Sequence, residues 1–149
     1  MRPVFVYGTL SSPQVVETLL GRPQAVELPA ASLDDHSRHP VKGCVFPAMI
    51  PNPQKQVSGF LIEDLSPKEM KLFDWFEGDE YSRKVVEVRT KNEESVEAFA
   101  YIWNPDLMDM LLLDQQWSFD NFCKENEKWY LNNTVGPCRE EMESLGLTK

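Results

Sequence analysis

The chain has 149 residues, of which 42% are hydrophobic and 26% are charged, as is usual for one globular domain. This composition excludes a mainly disordered chain. The formal net charge is −9, and residues 61–149 carry 20 acidic against 10 basic side chains. Such an acidic surface disfavours binding to nucleic acid or to an anionic membrane. No apolar run reaches the roughly 18 residues that a membrane span needs.

Targeting and cofactor signals are missing from the sequence. The N-terminus lacks the apolar stretch of a secretory signal, so we expect a cytoplasmic protein. Three widely spaced cysteines, without C-x-x-C or His-rich spacing, predict free thiols and no metal site. Neither a P-loop nor a G-x-G-x-x-G motif occurs, so nucleotide binding has no support. We expect a small-molecule ligand and no cofactor, and no oligomeric state is indicated.

The first elements are a strand and a helix. Residues 3–7 form a β-branched and aromatic run that ends at Gly8, which is typical of a buried strand. Ser12 is a good N-cap and Pro13 suits the first helical position. The apolar side chains that follow have helical spacing, and Gly21 is a suitable C-terminal stop.

The next region is rich in β-formers and turns. Strands are expected over residues 41–50 and 57–62, with breaks or sheet edges at three prolines between them. Residues 34–40 are polar and are expected to form a loop. Both histidines lie in that segment and no G-x-S-x-G elbow is present, which argues against a His-dependent hydrolase.

The middle of the chain has the best-marked helix start. Ser66, followed by Pro and then by Glu69, forms a capping box, and Gly78 is the expected stop of this helix. Residues 81–90 and 96–103 then predict two strands of a hairpin. The second strand becomes apolar on both faces toward its end, which predicts burial on two sides.

A last helix is expected over residues 118–131, docked through its aromatic side chains. We place a single domain at 1–133 and a weakly structured C-terminal tail at 134–149, which either carries a short helix or is mobile. The predicted fold is α+β: a small, mixed and largely antiparallel sheet or barrel, flanked by helices.

The junction between the first strand and the first helix is one candidate site. Gly8 would allow a turn with positive φ and a close approach of a ligand. Backbone N–H groups in such a turn, together with a helix N-terminus, suit a carboxylate or a developing oxyanion. The alternative is an ordinary turn. The candidate binding residues are Tyr7, Gly8, Thr9 and Leu10, extended by Ser11 and Ser12.

Glu77 is the second candidate. It closes a predicted helix, where the macrodipole disfavours a carboxylate, and large apolar residues precede it. If Glu77 is partly buried, its pKa should rise toward that of a useful general base. The alternative is a solvated residue at a frayed helix end. The same role is open to three neighbouring acids, namely Asp74, Asp79 and Glu80.

Tyr81 and Arg83 alternate along the following strand and therefore share one face. If that face meets Glu77, Tyr81 would donate a hydrogen bond and Arg83 would bind a carboxylate. Otherwise the two residues are a packing aromatic and a surface ion pair.

Two segments together carry a family resemblance: VFVYGTL at residues 4–10 and LFDWFEGDEYSR at residues 72–83. In this order and spacing they resemble the gamma-glutamylcyclotransferase-like superfamily, in particular its AIG2-like branch, best known from plants. The animal gamma-glutamylaminecyclotransferases are similar. The resemblance covers roughly residues 3–131 and implies a small β-barrel flanked by helices.

The resemblance also implies a reaction. Active members release a γ-glutamyl group as 5-oxoproline when the substrate's own α-amine attacks its γ-carbonyl. Glu77 matches the residue that takes the proton, and residues 7–10 match the substrate-binding loop. Glutathione, γ-glutamyl amino acids and γ-glutamyl amines are open as substrates. Two other hypotheses are a non-catalytic module that binds a small carboxylate, and an interaction protein that uses the acidic C-terminal half.

Overall fold

A computed structural model describes residues 1–24 and 27–149. Its centre is a closed five-stranded barrel in the order β1-β3-β2-β4-β5. The strands are β1 (Val4–Val6), β2 (Ala30–Pro40), β3 (Pro47–Ile62), β4 (Tyr81–Thr90) and β5 (Ser95–Trp103). All neighbours are antiparallel except β1 and β5, whose parallel contact closes the barrel.

Helices surround this barrel, so the predicted α+β architecture is confirmed. The helices of the described residues are α1 (Pro13–Leu20), α2 (Pro67–Glu77), α3 (Phe119–Glu125), α4 (Glu127–Tyr130) and α5 (Gly136–Ser144). Short 3₁₀ turns cover Thr9–Ser11 and Pro105–Met110, and a π turn joins α4 to α5.

Alternate residues of β1 pack into two different hydrophobic cores, because successive side chains of a strand point to opposite faces. Phe5 is fully buried and packs with the barrel-filling side chains of the other strands. Val4 and Val6 face the other way and pack under the helices. The chain segment before the candidate loop is thus held from both sides.

The predicted ends of the first two helices match the structure. The Ser12 hydroxyl accepts a hydrogen bond from the Val15 N–H, and Ser66 forms the capping box with Glu69. Gly21 and Gly78 follow the helices with φ of 71° and 74°, in the left-handed region that favours glycine. Helix α2 therefore ends at Glu77, as the sequence predicts.

The prediction of a loop over residues 34–40 is wrong. These residues continue β2 and pair with β3, which is one strand rather than two. Residues 60–62 of β3 pair with β1, and the rest of this strand, which contains its prolines, pairs with β2 alone. A bulge between Asp34 and His36 absorbs the irregularity, and Asp35 has a φ of 60°.

The C-terminal part also differs from expectation. The helix predicted over residues 118–131 is broken at Asn126, which separates α3 from α4. The stretch expected to be weakly structured contains α5, whose Met142 is fully buried, and Arg139 donates to the Leu19 carbonyl of α1 at 3.1 Å. Buried residues are sparse here among acidic ones, so the periodic signal is weak. The domain boundary at residue 133 stays a prediction.

Candidate active site

A cavity of about 310 Å³ lies beside the C-terminal end of β1 and the start of β4. It brings together most of the residues that the sequence singles out. These are Tyr7, Gly8, Thr9, Leu10, Glu77 and Tyr81. Ser11, Ser12 and Arg83 do not line this cavity.

The loop after β1 is tightly packed at Gly8. The expected positive φ is wrong, because Gly8 has a φ of −121°. Glycine is needed here for another reason: a Cβ atom would lie 2.9 Å from Cγ of Pro47. A 3₁₀ turn follows over Thr9–Ser11, and the first N–H groups of such a turn have no partner within it. The loop can therefore offer backbone donors to an anion in the cavity.

Tyr7 fixes this loop to the barrel. Its hydroxyl donates to the Tyr101 carbonyl at 2.7 Å, and its own carbonyl accepts from Nη1 of Arg38 at 2.6 Å. The Arg38 guanidinium also lies over the Trp117 indole, 5.6 Å from the ring centroid. Arg38 thus supports the loop from outside the cavity.

Glu77 faces the cavity from the last position of α2. Its side chain is partly buried and opens onto the cavity, and the surrounding protein removes much of the water from its carboxyl. Burial raises the pKa of this carboxyl from 4.5 to about 8, and the negative charges of Glu80 and Asp74 add to the effect. Glu77 can therefore hold or release a proton near neutral pH.

Asp74, one turn earlier on α2, has a different environment. Nε of Arg83 lies 2.9 Å from its Oδ1, and the Tyr101 hydroxyl donates to the same oxygen at 2.7 Å. The Arg83 guanidinium lies 4.5 Å from the centroid of the Phe99 ring. Asp74 is thus occupied by an ion pair and a hydrogen bond, and Arg83 binds a protein carboxylate outside the cavity.

Tyr81 lines the cavity, but its hydroxyl does not donate to Glu77 as expected. It donates to the Pro47 carbonyl at 2.7 Å, and its ring packs edge-on against Trp103 at 5.0 Å between centroids. Tyr81 therefore fixes Pro47, which packs against Gly8, and in this way it helps to position the loop after β1.

The two serines have structural positions. The Ser12 hydroxyl caps α1 and is fully buried. Ser11 is buried at the edge of a separate groove, which it shares with Arg38 and Trp117. The structure does not bring either side chain into the cavity with Glu77.

Sequence reasoning missed Arg38, which supports the loop from outside the cavity, and several residues that line the cavity. Arg38 acts on a carbonyl 31 residues away, and nothing in its polar segment signals that contact. Other missed residues belong to segments that converge only in the fold, namely Phe46, Phe76, Met110, Tyr130, Thr134 and Cys138. Of these residues, only Phe76 and Tyr130 could have been found from a local pattern, because both are aromatic residues of predicted helices.

The described part of the chain contains neither a metal-binding cluster nor a helix that could span a membrane. Within residues 1–24 and 27–149, no three acidic, cysteine or histidine side chains are grouped to hold a metal ion. None of the helices formed by these residues is both long and apolar enough to cross a bilayer. All three cysteines are free thiols, as predicted.

Comparison with known proteins identifies the class to which this barrel and cavity belong. The chain matches the family model "Gamma-glutamyl cyclotransferase, AIG2-like" over residues 4–119. It is 33% identical to AIG2-like protein D of Arabidopsis thaliana, over all of this chain and 94% of that protein. AIG2-like protein C of the same plant is also 33% identical, over 88% of this chain and 74% of its own. The chain is therefore a member of the AIG2-like gamma-glutamyl cyclotransferase family.

Solved structures agree with this assignment. The solution structure of an Arabidopsis thaliana protein, 27% identical, superposes with a TM-score of 0.66 and covers 97% of this chain and 84% of that one. A structure named gamma-glutamyl cyclotransferase gives a TM-score of 0.58 at 16% identity, over 69% of this chain and 66% of that one. This second likeness shows a common fold.

Proposed function

We propose that the protein is a cyclotransferase that releases 5-oxoproline from a γ-glutamyl amino acid or amine, with Glu77 as the general base. The observation that carries the proposal is the position of the Glu77 carboxyl, at the end of α2 in a cavity beside the loop after β1, where burial raises its pKa to about 8. Family membership supplies the reaction class.

Proton transfer is the task of Glu77. The substrate's α-ammonium is not a nucleophile until it loses a proton, and a base with a pKa near neutrality can accept that proton. Above a pH of about 8 the Glu77 carboxyl is mainly ionised and ready to do so. Asp74 cannot replace it in this role because Arg83 and Tyr101 bind its oxygens.

The bond changes follow from the substrate's own geometry. The free α-amine attacks the γ-carbonyl carbon and forms the lactam C–N bond. Because both groups belong to the same substrate molecule, the attack is intramolecular, and the enzyme needs mainly to position the amine against the carbonyl. The amide C–N bond then breaks. The leaving nitrogen takes the proton held by Glu77 and the second proton of the attacking amine, and departs as an ammonium.

The loop of residues 7–10 is the proposed binding element. Its backbone N–H groups would hold the substrate carboxylate or stabilise the negative charge that develops on the carbonyl oxygen. Tyr81 would contribute through the wall of the cavity. We assign no substrate contact to Ser11, Ser12 or Arg83. A cytoplasmic location, inferred from the sequence, belongs to the same proposal.

The test is a 5-oxoproline release assay on a panel of γ-glutamyl amino acids, γ-glutamyl-lysine and glutathione. Glu77→Gln should lower turnover at least about 100-fold with the fold intact by circular dichroism. Glu94→Gln, at an exposed position in the β4–β5 hairpin, is the matched control and should keep wild-type turnover. Full activity of the Glu77 variant would contradict the mechanism. Ligand binding without product from any substrate would favour a binding module.

A further inference from the structure

A second cavity, also of about 310 Å³, lies between the paired strands β2 and β3 and the segment that follows the second 3₁₀ turn. Of the residues that the structure describes, none lines both this cavity and the one that contains Glu77. The wall of the second cavity is mostly polar and includes Ser37, His39, Asn52 and Gln116. The proposed cyclotransferase reaction uses none of these residues.

Ser37 and His39 lie on one face of β2, because side chains two positions apart in a strand point the same way. The Ser37 Oγ atom lies 2.7 Å from Nε2 of His39. His39 is only 7% exposed, whereas Ser37 is partly exposed and lines the cavity. Because these residues form a strand and not the expected loop, the hydroxyl and the imidazole keep a fixed geometry.

The other ring nitrogen of His39 determines where the ring carries its proton. Nδ1 lies 2.8 Å from the Gln115 carbonyl oxygen, which can only accept a hydrogen bond. Nδ1 therefore carries the proton of the neutral ring, and Nε2 presents its lone pair. This lone pair accepts the hydrogen bond from the Ser37 hydroxyl, so the hydroxyl proton points at a base.

The segment that contains the Gln115 carbonyl is attached to the barrel on both sides of that residue. The Leu112 N–H donates to the Pro40 carbonyl at 3.0 Å, at the end of β2. The Trp117 indole N–H donates to the Val45 carbonyl at 2.8 Å, in the turn between β2 and β3. These two hydrogen bonds keep the Gln115 carbonyl against the imidazole.

An amide side chain lies beside the same hydroxyl. Nδ2 of Asn52 donates to Ser37 Oγ at 3.1 Å. An amide nitrogen carries two hydrogens, so the second N–H of Asn52 can donate to an oxygen atom of a molecule in the cavity. A donor in this position stabilises the negative charge that develops when a hydroxyl attacks a carbonyl carbon. The size and the polar wall of the cavity suit a small, polar molecule.

We propose that Ser37 and His39 form a second catalytic centre, which hydrolyses small, polar carboxylic esters. Ser37 Oγ forms a bond to the carbonyl carbon of the ester while its proton moves to Nε2 of His39. The bond between that carbon and the alcohol oxygen breaks, and the alcohol leaves with the proton from Nε2. Water then gives a proton to Nε2, and its oxygen bonds to the acyl carbon. The acid leaves as the bond to Oγ breaks, and Oγ recovers the proton from Nε2.

Diisopropyl fluorophosphate tests the nucleophile, because an activated serine hydroxyl displaces its fluoride and keeps the phosphoryl group. Peptide mass spectrometry of the treated full chain should locate one diisopropylphosphoryl group, on Ser37. Ser82 and Ser95 are exposed serines outside this cavity, and they should stay unmodified. An unmodified Ser37, or equal modification of the three serines, would overturn the inference.

Hydrolysis of p-nitrophenyl acetate measures turnover at the same site. Ser37→Ala and His39→Gln should each lower the rate of nitrophenolate release at least about tenfold, with an unchanged circular dichroism spectrum. Ser95→Ala removes an exposed hydroxyl and should keep the wild-type rate. A wild-type rate in Ser37→Ala or in folded His39→Gln would refute the inference. The proposed cyclotransferase activity does not depend on this outcome, because the two cavities have separate walls.

Discussion

Replacing Glu77 by Gln should stabilise the fold at alkaline pH. The carboxyl has a pKa of about 8 in the folded protein, against an ordinary value of 4.5. Between these values the unfolded chain has released the proton that the folded protein retains. Stability therefore falls as pH rises through this window, and the full penalty is present above about pH 8. Gln has no proton to lose and avoids that penalty.

The size of the effect follows from the two pKa values. At about 1.4 kcal/mol for each pH unit between them, ionisation of Glu77 costs the folded state up to about 5 kcal/mol. By the same relation, about 2 kcal/mol of this is already lost at pH 6, so about 3 kcal/mol separates pH 6 from pH 9. Both pH values avoid the region of the isoelectric point, which is near 4.7.

Urea unfolding at pH 6 and pH 9 would measure this difference for the wild type, Glu77→Gln and the exposed control Glu94→Gln. The stability gain of Glu77→Gln over the wild type should grow by up to about 3 kcal/mol between the two pH values. The control should show no such growth. A gain that is independent of pH, or larger at pH 6, would refute a raised pKa of Glu77.

Three further substitutions test the surroundings of the site. Gly8→Ala would bring a Cβ within 2.9 Å of Cγ of Pro47, so the loop must shift; urea unfolding should show a loss of about 1–3 kcal/mol, and 5-oxoproline turnover should fall. Arg38→Met leaves the Tyr7 carbonyl without its donor and should cost about 1–3 kcal/mol by the same measurement, with a higher KM. Met142→Ala removes a fully buried side chain from α5 and should cost about 2–5 kcal/mol in urea unfolding.

Each of these variants has a result that would contradict its reasoning. Gly8→Ala with wild-type stability and turnover would show that the loop is not closely packed. Arg2→Met is the control for Arg38→Met, because the Arg2 guanidinium is about half exposed. It should change neither stability nor KM. An equal effect of the two variants would refute a specific role for Arg38. Leu145→Ala, at a 59% exposed position, controls for Met142→Ala. A negligible cost of Met142→Ala would mean that α5 contributes little.

The elements that could be predicted carry their signals locally. The capping box at Ser66 and the stop at Gly78 both lie within a turn of the helix end that they define. Together they put Glu77 at the end of α2, which is what makes it a candidate base. The β4–β5 hairpin is equally predictable, because the alternation of apolar and polar side chains and the polar turn are both short-range patterns.

The features that escaped prediction depend on distant partners. Residues 34–40 are mostly polar and largely not buried, and only their pairing with β3 makes them a strand. The sequence predicts a positive φ at Gly8, whereas the structure uses its small size for contact with Pro47, which is 39 positions further along the chain. Thr134 and Cys138 contribute part of the cavity wall, and predicting this would require knowing where the C-terminal helical region packs. No local pattern contains that information.

The cavity that contains Glu77 is lined by residues from separate segments of the chain. Its loop and its acidic residue belong to the barrel and to α2, while much of its outer wall comes from a connecting turn and from the final helices. Under the proposed function, substitutions in the turn or in the final helices are therefore expected to change which leaving group fits, while Glu77 and the loop after β1 keep their positions. Under the proposed function, exchanging residues 131–149 between relatives is expected to change the substrate range while Glu77 and the loop after β1 stay the same.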